Sequence, residues 1–167
     1  MVNKIFMMDI SHKAEAIRSK VLEYRYHNAD EWKLMKEENG VRVWRQKTND
    51  PFPMFKTDYV HNVPPVTGYI KFHVLGPYRA RWDAAIDRIE KIKKIDDNCA
   101  IVHHIGKATL KGLVSARDSV DLAVFGEENG CYYIGASSLE KSDVPLIPNS
   151  VRINLILCGC LFLPIEG

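Results

Sequence analysis

At 167 residues the chain has room for one domain with a real core, and its 46% hydrophobic and 10% aromatic content excludes an intrinsically disordered chain. A formal net charge of +2 excludes a strongly basic nucleic-acid stripe: the one tight basic cluster, Lys91, Lys93 and Lys94, is offset by Glu90, Asp96 and Asp97, and no nucleic-acid partner is expected. Ile5 to Met8 is too short for a secretory core. Leu155 to Ile165, broken by Gly159 and Pro164, falls short of the roughly 18 residues of a spanning helix. Cys99, Cys131, Cys158 and Cys160, with no export signal ahead of them, read as reduced thiols, and the expectation is a soluble cytoplasmic protein.

In chain order, Ile10, Ala14, Ile17, Val21 and Tyr24 recur at steps of four and three, one face of a helix, with Asp9 and Ser11 as candidate N-caps. Trp32 to Lys36 and Val41 to Gln46 flank Asn39-Gly40, a pair that accepts the positive φ of a tight hairpin turn. Met54 to His61 is a strand candidate ended by Pro64-Pro65, which opens a short helix, Val66 to Leu75, stopped by Gly76-Pro77. Ile86, Ile89, Ile92 and Ile95 step by three, so periodicity alone favours a helix there. Asp96-Asp97-Asn98 turns the chain into Cys99 to Ile105, and Asn129-Gly130 joins Val120 to Phe125 with Cys131 to Ser137. Hairpins at this spacing imply a largely antiparallel sheet and an α+β fold, read as one domain over 1–167.

The catalytic inventory is thin. There is no Gly-x-Ser-x-Gly elbow, His-Glu-x-x-His helix or phosphate-cradling glycine loop, so no catalytic residue and no cofactor is assigned. Cys158-Gly159-Cys160 with His103-His104 makes a poor metal site, because neighbouring strand residues point to opposite faces. The expectation is two buried thiols on one side of a strand and Gly159 on the other. Arg81-Trp82-Asp83 and Ser115-Ala116-Arg117-Asp118 set charges among apolar neighbours. Such charges must be paired, either to fasten the sheet to the loop before Asp118 or to meet the polar end of a ligand.

Glu38-Asn39-Gly40-Val41-Arg42-Val43-Trp44, Arg81-Trp82-Asp83, the stretch from Lys107 to Leu122 (KATLKGLVSARDSVDL) and Val151-Arg152, in this order and spacing, resemble the START family of StAR-related lipid-transfer domains, most closely its small soluble cytosolic sterol-carrier branch. The resemblance covers about Lys20 to Gly167 and turns Ile89 to Ile95 into a strand. It implies a helix-grip: an N-terminal helix, a curved antiparallel sheet with a short helical insert, and a long terminal helix over a lipid cavity. No such helix is readable after Val151-Arg152, so the chain looks C-terminally shortened. An open apolar concavity and self-association of the shortened form are then expected.

What the resemblance implies for function is non-enzymatic binding and intermembrane transfer of one lipid, a sterol or related steroid. The alternatives are an interaction module, or a form without transfer activity. Lipid contacts are expected at Trp82, His104, Leu113, Val114, Arg117, Val124, Ser137 and Ser138. A transient membrane contact is expected at Lys107, Leu110, Lys111 and Leu113, where lysines bracket leucines. The steroidogenic branch carries an acid–arginine pair in its cavity. The matching positions here hold His104 and Ala123, so that pair is missing.

Overall fold

The computed structural model describes residues 2–26, 28–49, 51–109, 112–140 and 142–165. The chain divides into two compact units, Tyr24–Val63 and the combination of Met1–Glu23 with Pro64–Gly167.

The smaller unit is an antiparallel three-stranded sheet in the order β1 (Trp32–Glu38), β2 (Val41–Gln46), β3 (Phe55–Asp58). Its β1–β2 turn has φ 51° at Asn39 and 77° at Gly40, the two positive values a primed hairpin turn requires. Trp32, 4% exposed, is its one buried residue among those described. Tyr24 meets the Trp32 ring edge-on at 5.9 Å and the Lys56 ammonium lies 5.0 Å from its centroid. Burial there lowers the Lys56 pKa.

In the larger unit, α1 (Val2–Glu23) precedes α2 (Pro65–Phe72) and α3 (Arg79–Trp82). These helices surround a six-stranded sheet of β4 (Ile86–Lys94), β5 (Cys99–Gly106), β6 (Ala116–Glu128), β7 (Cys131–Ser138), β8 (Ser150–Arg152) and β9 (Cys158–Phe162). The path runs β4-β5-β6-β7-β9 in antiparallel pairs, while β8 runs parallel to the first residues of β6. The Asn129-Gly130 turn repeats the positive φ pair, 51° and 76°. β6 is twice the length its apolar core suggests, because Ala116 to Ser119 and Gly126 to Glu128 continue the ladder through charged and polar positions.

Residue alternation gives this sheet two faces. Ile10, Ile17 and Val21, spaced seven and four apart along α1, pack on Cys99, Ile101, Val120, Leu122, Val124 and Tyr133. Gly135 and Gly159, paired across β7 and β9, let the helix lie close. A Cβ at Gly135 would stand 2.9 Å from both Ile17 and Val21, and one at Gly159 would stand 2.9 Å from Val21. The opposite face carries Ala100, Val102, Ala123, Phe125, Ile134 and Ala136, packed against Tyr69, Phe72, Val74, Ile89, Leu155 and Phe162. The apolar face expected to stand open is therefore covered, by α2 and the segment after it.

The isoleucine period of three in β4 has a physical cause. The β4–β5 ladder slips between Ile86 and Arg88 and again between Lys91 and Lys93. One extra residue at the first bulge converts a step of two into a step of three. Ile86 and Ile89 therefore face the same side, opposite Gly106 and His104. Ile92 falls in the second irregular step and is exposed, and Ile95 joins the α1 side. A helix-like pattern here is a doubly bulged strand.

Candidate functional site

Successive cross-strand rows on the α2 face change from polar to apolar. Ile89, His104 and Ser119 form one row, and Lys91, Val102, Asp121 and Ser138 the next. A flat row of Ala100, Ala123, Ala136 and Cys158 follows, and then Phe125, Ile134 and Cys160. A polar cluster thus sits at one end of an otherwise apolar floor.

Asp121, fully buried, is the centre of that cluster. His104 Nδ1 donates to its Oδ2 at 2.7 Å, Ser119 Oγ to the same oxygen at 2.6 Å, and Ser138 Oγ to Oδ1 at 2.7 Å. Ser138 Oγ in turn accepts the Leu155 N–H at 2.7 Å. Burial pushes the Asp121 carboxyl up, but the three donors outweigh it and hold the pKa below the ordinary aspartate value. Asp121 is therefore a carboxylate at neutral pH.

A second imidazole–carboxylate pair occupies the α1 face, because His103 and His104 are neighbours on one strand. His103 Nε2 donates to Asp118 Oδ2 at 2.7 Å, and Arg152 Nε reaches the same oxygen at 2.8 Å. Arg152 also holds the Pro145 carbonyl at 3.1 Å. Burial raises the Asp118 pKa, but the Arg152 and His103 bonds outweigh it and leave it lowered. This pair fastens β6 to β8 and to the loop before β8.

The α2–α3 segment supplies the wall facing Ile89. Arg79 pairs with Asp83 at 2.6 Å and lies 4.5 Å from the Trp82 ring centroid. Trp82 Nε1 donates to the Lys71 carbonyl at 3.0 Å, and its ring centroid stands 4.4 Å from that of Phe72. Arg79 Nε is the one buried side-chain nitrogen or oxygen without a partner among the described residues. A cavity of about 180 Å³ opens between Val74, Leu75, Gly76, Arg79, Ala80, Ile89 and Lys91.

Of the residues expected to contact ligand, His104, Ser138 and Arg117 share the α2 face, though Arg117 is exposed at the end of β6. Val124 and Ser137 alternate to the α1 face and stand apart. Trp82 fastens α3 to α2 and is half exposed. Lys107, Leu113 and Val114 belong to the β5–β6 loop, where Thr109 bridges Val114 and Leu113 is 87% exposed. Leu110 and Lys111 lie outside the described residues. The expected pair of buried thiols is corrected: Cys158 is exposed and Cys160 only half buried, because β9 is an edge strand. The two do share a face. Among the described residues no group of three His, Cys, Asp or Glu side chains could hold a metal.

Sequence reasoning missed Asp121, Ser119 and Arg79. The signal for Asp121 was present: a charge between Val120 and Leu122 in an apolar strand demands a partner. Its partner becomes readable only through the β5–β6 register. His104 finds its carboxylate on the neighbouring strand, in Asp121.

A sequence profile of the START domain matches residues 12–167, a stretch that includes the whole of the smaller unit and both histidine–aspartate pairs. Human StAR-related lipid transfer protein 4 is 22% identical over 137 residues, covering 78% of this chain. The chain spans 64% of that relative's length. The solved structure of human StAR-related lipid transfer protein 5 superposes with a TM-score of 0.84 at 26% identity, over 95% of this chain and 76% of that one. Human STARD10 superposes at 0.75 with 22% identity, over 88% and 59%, which is a likeness of fold. N-terminal helix, curved antiparallel sheet and short helical insert are the α+β helix-grip arrangement these structures share, and the chain belongs to the START domain family.

Proposed function

We propose that the protein binds a single lipid, a sterol or related steroid, on the α2 face of the larger sheet and carries it between membranes without chemical change. The observation that carries this reading is the gradient along that face, from the Asp121 cluster over a row of alanines to aromatic and aliphatic side chains. Such a floor suits a rigid apolar body with one polar end, and the walls need only one or two oriented polar groups. The cavity beside Ile89 is smaller than the roughly 300–1,000 Å³ of ligand pockets, so entry requires Phe72 and Tyr69 of α2 to lift from the floor. The test is displacement of a fluorescent sterol from the purified protein. Sterols should compete and soluble metabolites should not, and the reverse ranking removes the carrier reading.

The β5–β6 loop is the proposed membrane contact, with Leu113 and Lys107 both exposed on it. Lys107→Glu with Lys111→Glu should slow transfer from anionic vesicles more than from neutral ones, and equal slowing would make the loop an ordinary surface. Four cysteines with no disulfide among the described residues support a reducing, cytosolic place of work. Self-association through exposed apolar side chains such as Phe52 and Ile156 is a separate proposal. A single monomeric peak across dilution in size-exclusion chromatography would remove it.

A further inference from the structure

We infer that His104 reads the hydrogen-bond polarity of the ligand's head, its Nε2 accepting a proton from a free hydroxyl, so that the site selects lipid alcohols over their ethers and ketones. The inference rests on the carrier reading above and narrows it to a donor-bearing head group.

The geometry fixes which imidazole nitrogen is free. Asp121 is ionised and has no proton to give, so Nδ1 of His104, 2.7 Å from it, must carry the hydrogen of that bond. In the neutral ring Nε2 then holds a lone pair and can only accept. Ser119 and Ser138 each spend their one hydroxyl hydrogen on Asp121, and Ser138 also accepts the Leu155 N–H, so neither hydroxyl has a proton left to give His104 Nε2. No described residue bonds to Nε2, and the His104 side chain keeps 19% of its surface open. It is not among the buried unpartnered atoms, so Nε2 is reachable from outside the sheet.

Position agrees with orientation. His104 stands directly across the ladder from Ile89, which lines the cavity, and on the face that continues into the alanine row. A lipid lying along that row places its polar end at His104. A charged acid–arginine pair can meet either a donor or an acceptor. A neutral imidazole whose Nδ1–H is held by a buried carboxylate presents an acceptor alone. A ketone or ether oxygen set against that lone pair makes no bond and leaves both groups desolvated, the situation in which a site rejects an analogue most strongly. Asp121 is a positioning residue in this scheme, acting on the ligand through His104.

The experiment measures binding of three probes to the full chain: cholesterol, its 3-methyl ether and the corresponding 3-ketone. Wild type should prefer the alcohol by roughly tenfold or more, the worth of one hydrogen bond in a partly desolvated site. His104→Phe should bring the three probes to nearly equal affinity, and His104→Gln, whose amide oxygen can stand near Nε2, should restore part of the preference. Equal binding of all three probes by wild type overturns the inference and leaves the carrier reading intact. Binding of none overturns both. A uniform loss in His104→Phe with the preference retained gives the residue a structural role and also overturns it. Should that variant fail to fold, imidazole nitrogen NMR of wild type decides. Adding the alcohol should shift the Nε2 resonance of His104 in the direction of an accepted hydrogen bond and the ketone should not; no shift with the alcohol overturns the inference.

Discussion

Two aspartates three residues apart on β6 divide the work of the polar groups. Asp118 faces α1 and ties Arg152 and His103, whereas Asp121 faces α2 and orients His104. Removing Asp118 strands His103, which is 2% exposed, and a guanidinium that is 25% exposed. Loss of one partner of a buried pair costs several kcal/mol, and the partial exposure of Arg152 puts Asp118→Asn at about 2–3 kcal/mol. Both aspartates have folded pKa values below the unfolded one, so their contribution is present above about pH 4 and is lost as pH falls through the lower, folded values. Urea midpoints between pH 7 and pH 2 should therefore fall steeply for wild type on the acid side and less steeply for Asp118→Asn. Parallel curves would mean that Asp118 is not held low. Arg88, bonded to Asp87 and Glu90 on the exposed side of β4, is the contrast: Arg88→Ala should leave the midpoint unchanged.

At the scale of elements, legibility followed local chemistry. The Asn-Gly turns, the α1 face and the short proline-led helix were readable because each is fixed by a few adjacent residues. β4 was not, since its bulges are set by the β5 partner and imitate helical spacing. The two faces of β6 were readable by alternation, but the sequence did not show which of them α1 would take, so the α1 placement of Val124 and Ser137 emerges only from the β6–β7 register. Glycines carry that missing information. Gly135 lies under Ile17 and Val21, so Gly135→Ala should cost about 1–3 kcal/mol by overpacking. Val21→Ala opens space at the same spot, so its cost should be smaller in the Gly135→Ala background than in wild type. Additive costs in that double-mutant cycle would place the strain elsewhere.

Across the whole molecule, burial is distributed very unevenly between the two units. β5 and β6 have nearly every central residue buried on both faces, with α1 on one side and α2 on the other. β1, β2 and β3 expose most of theirs, and Trp32 is the single buried side chain described between Tyr24 and Val63. About forty residues with so small a core sit at the limit below which a domain rarely stands alone. The smaller unit should accordingly open at a lower free energy than the sheet of the larger one, because opening exposes little apolar surface. Native-state hydrogen exchange can read this directly. β2 is the central strand of its sheet and has its amides bonded from both sides, so geometry alone would protect it as well as β5. We expect the β2 amides, Val41 to Gln46, to exchange through a local opening, at rates insensitive to low denaturant, and those of Ile101 to Ile105 only through global unfolding. The same protection free energy for both strands would show that the two units unfold as one, and that the bonded ladder rather than the buried core sets local stability here.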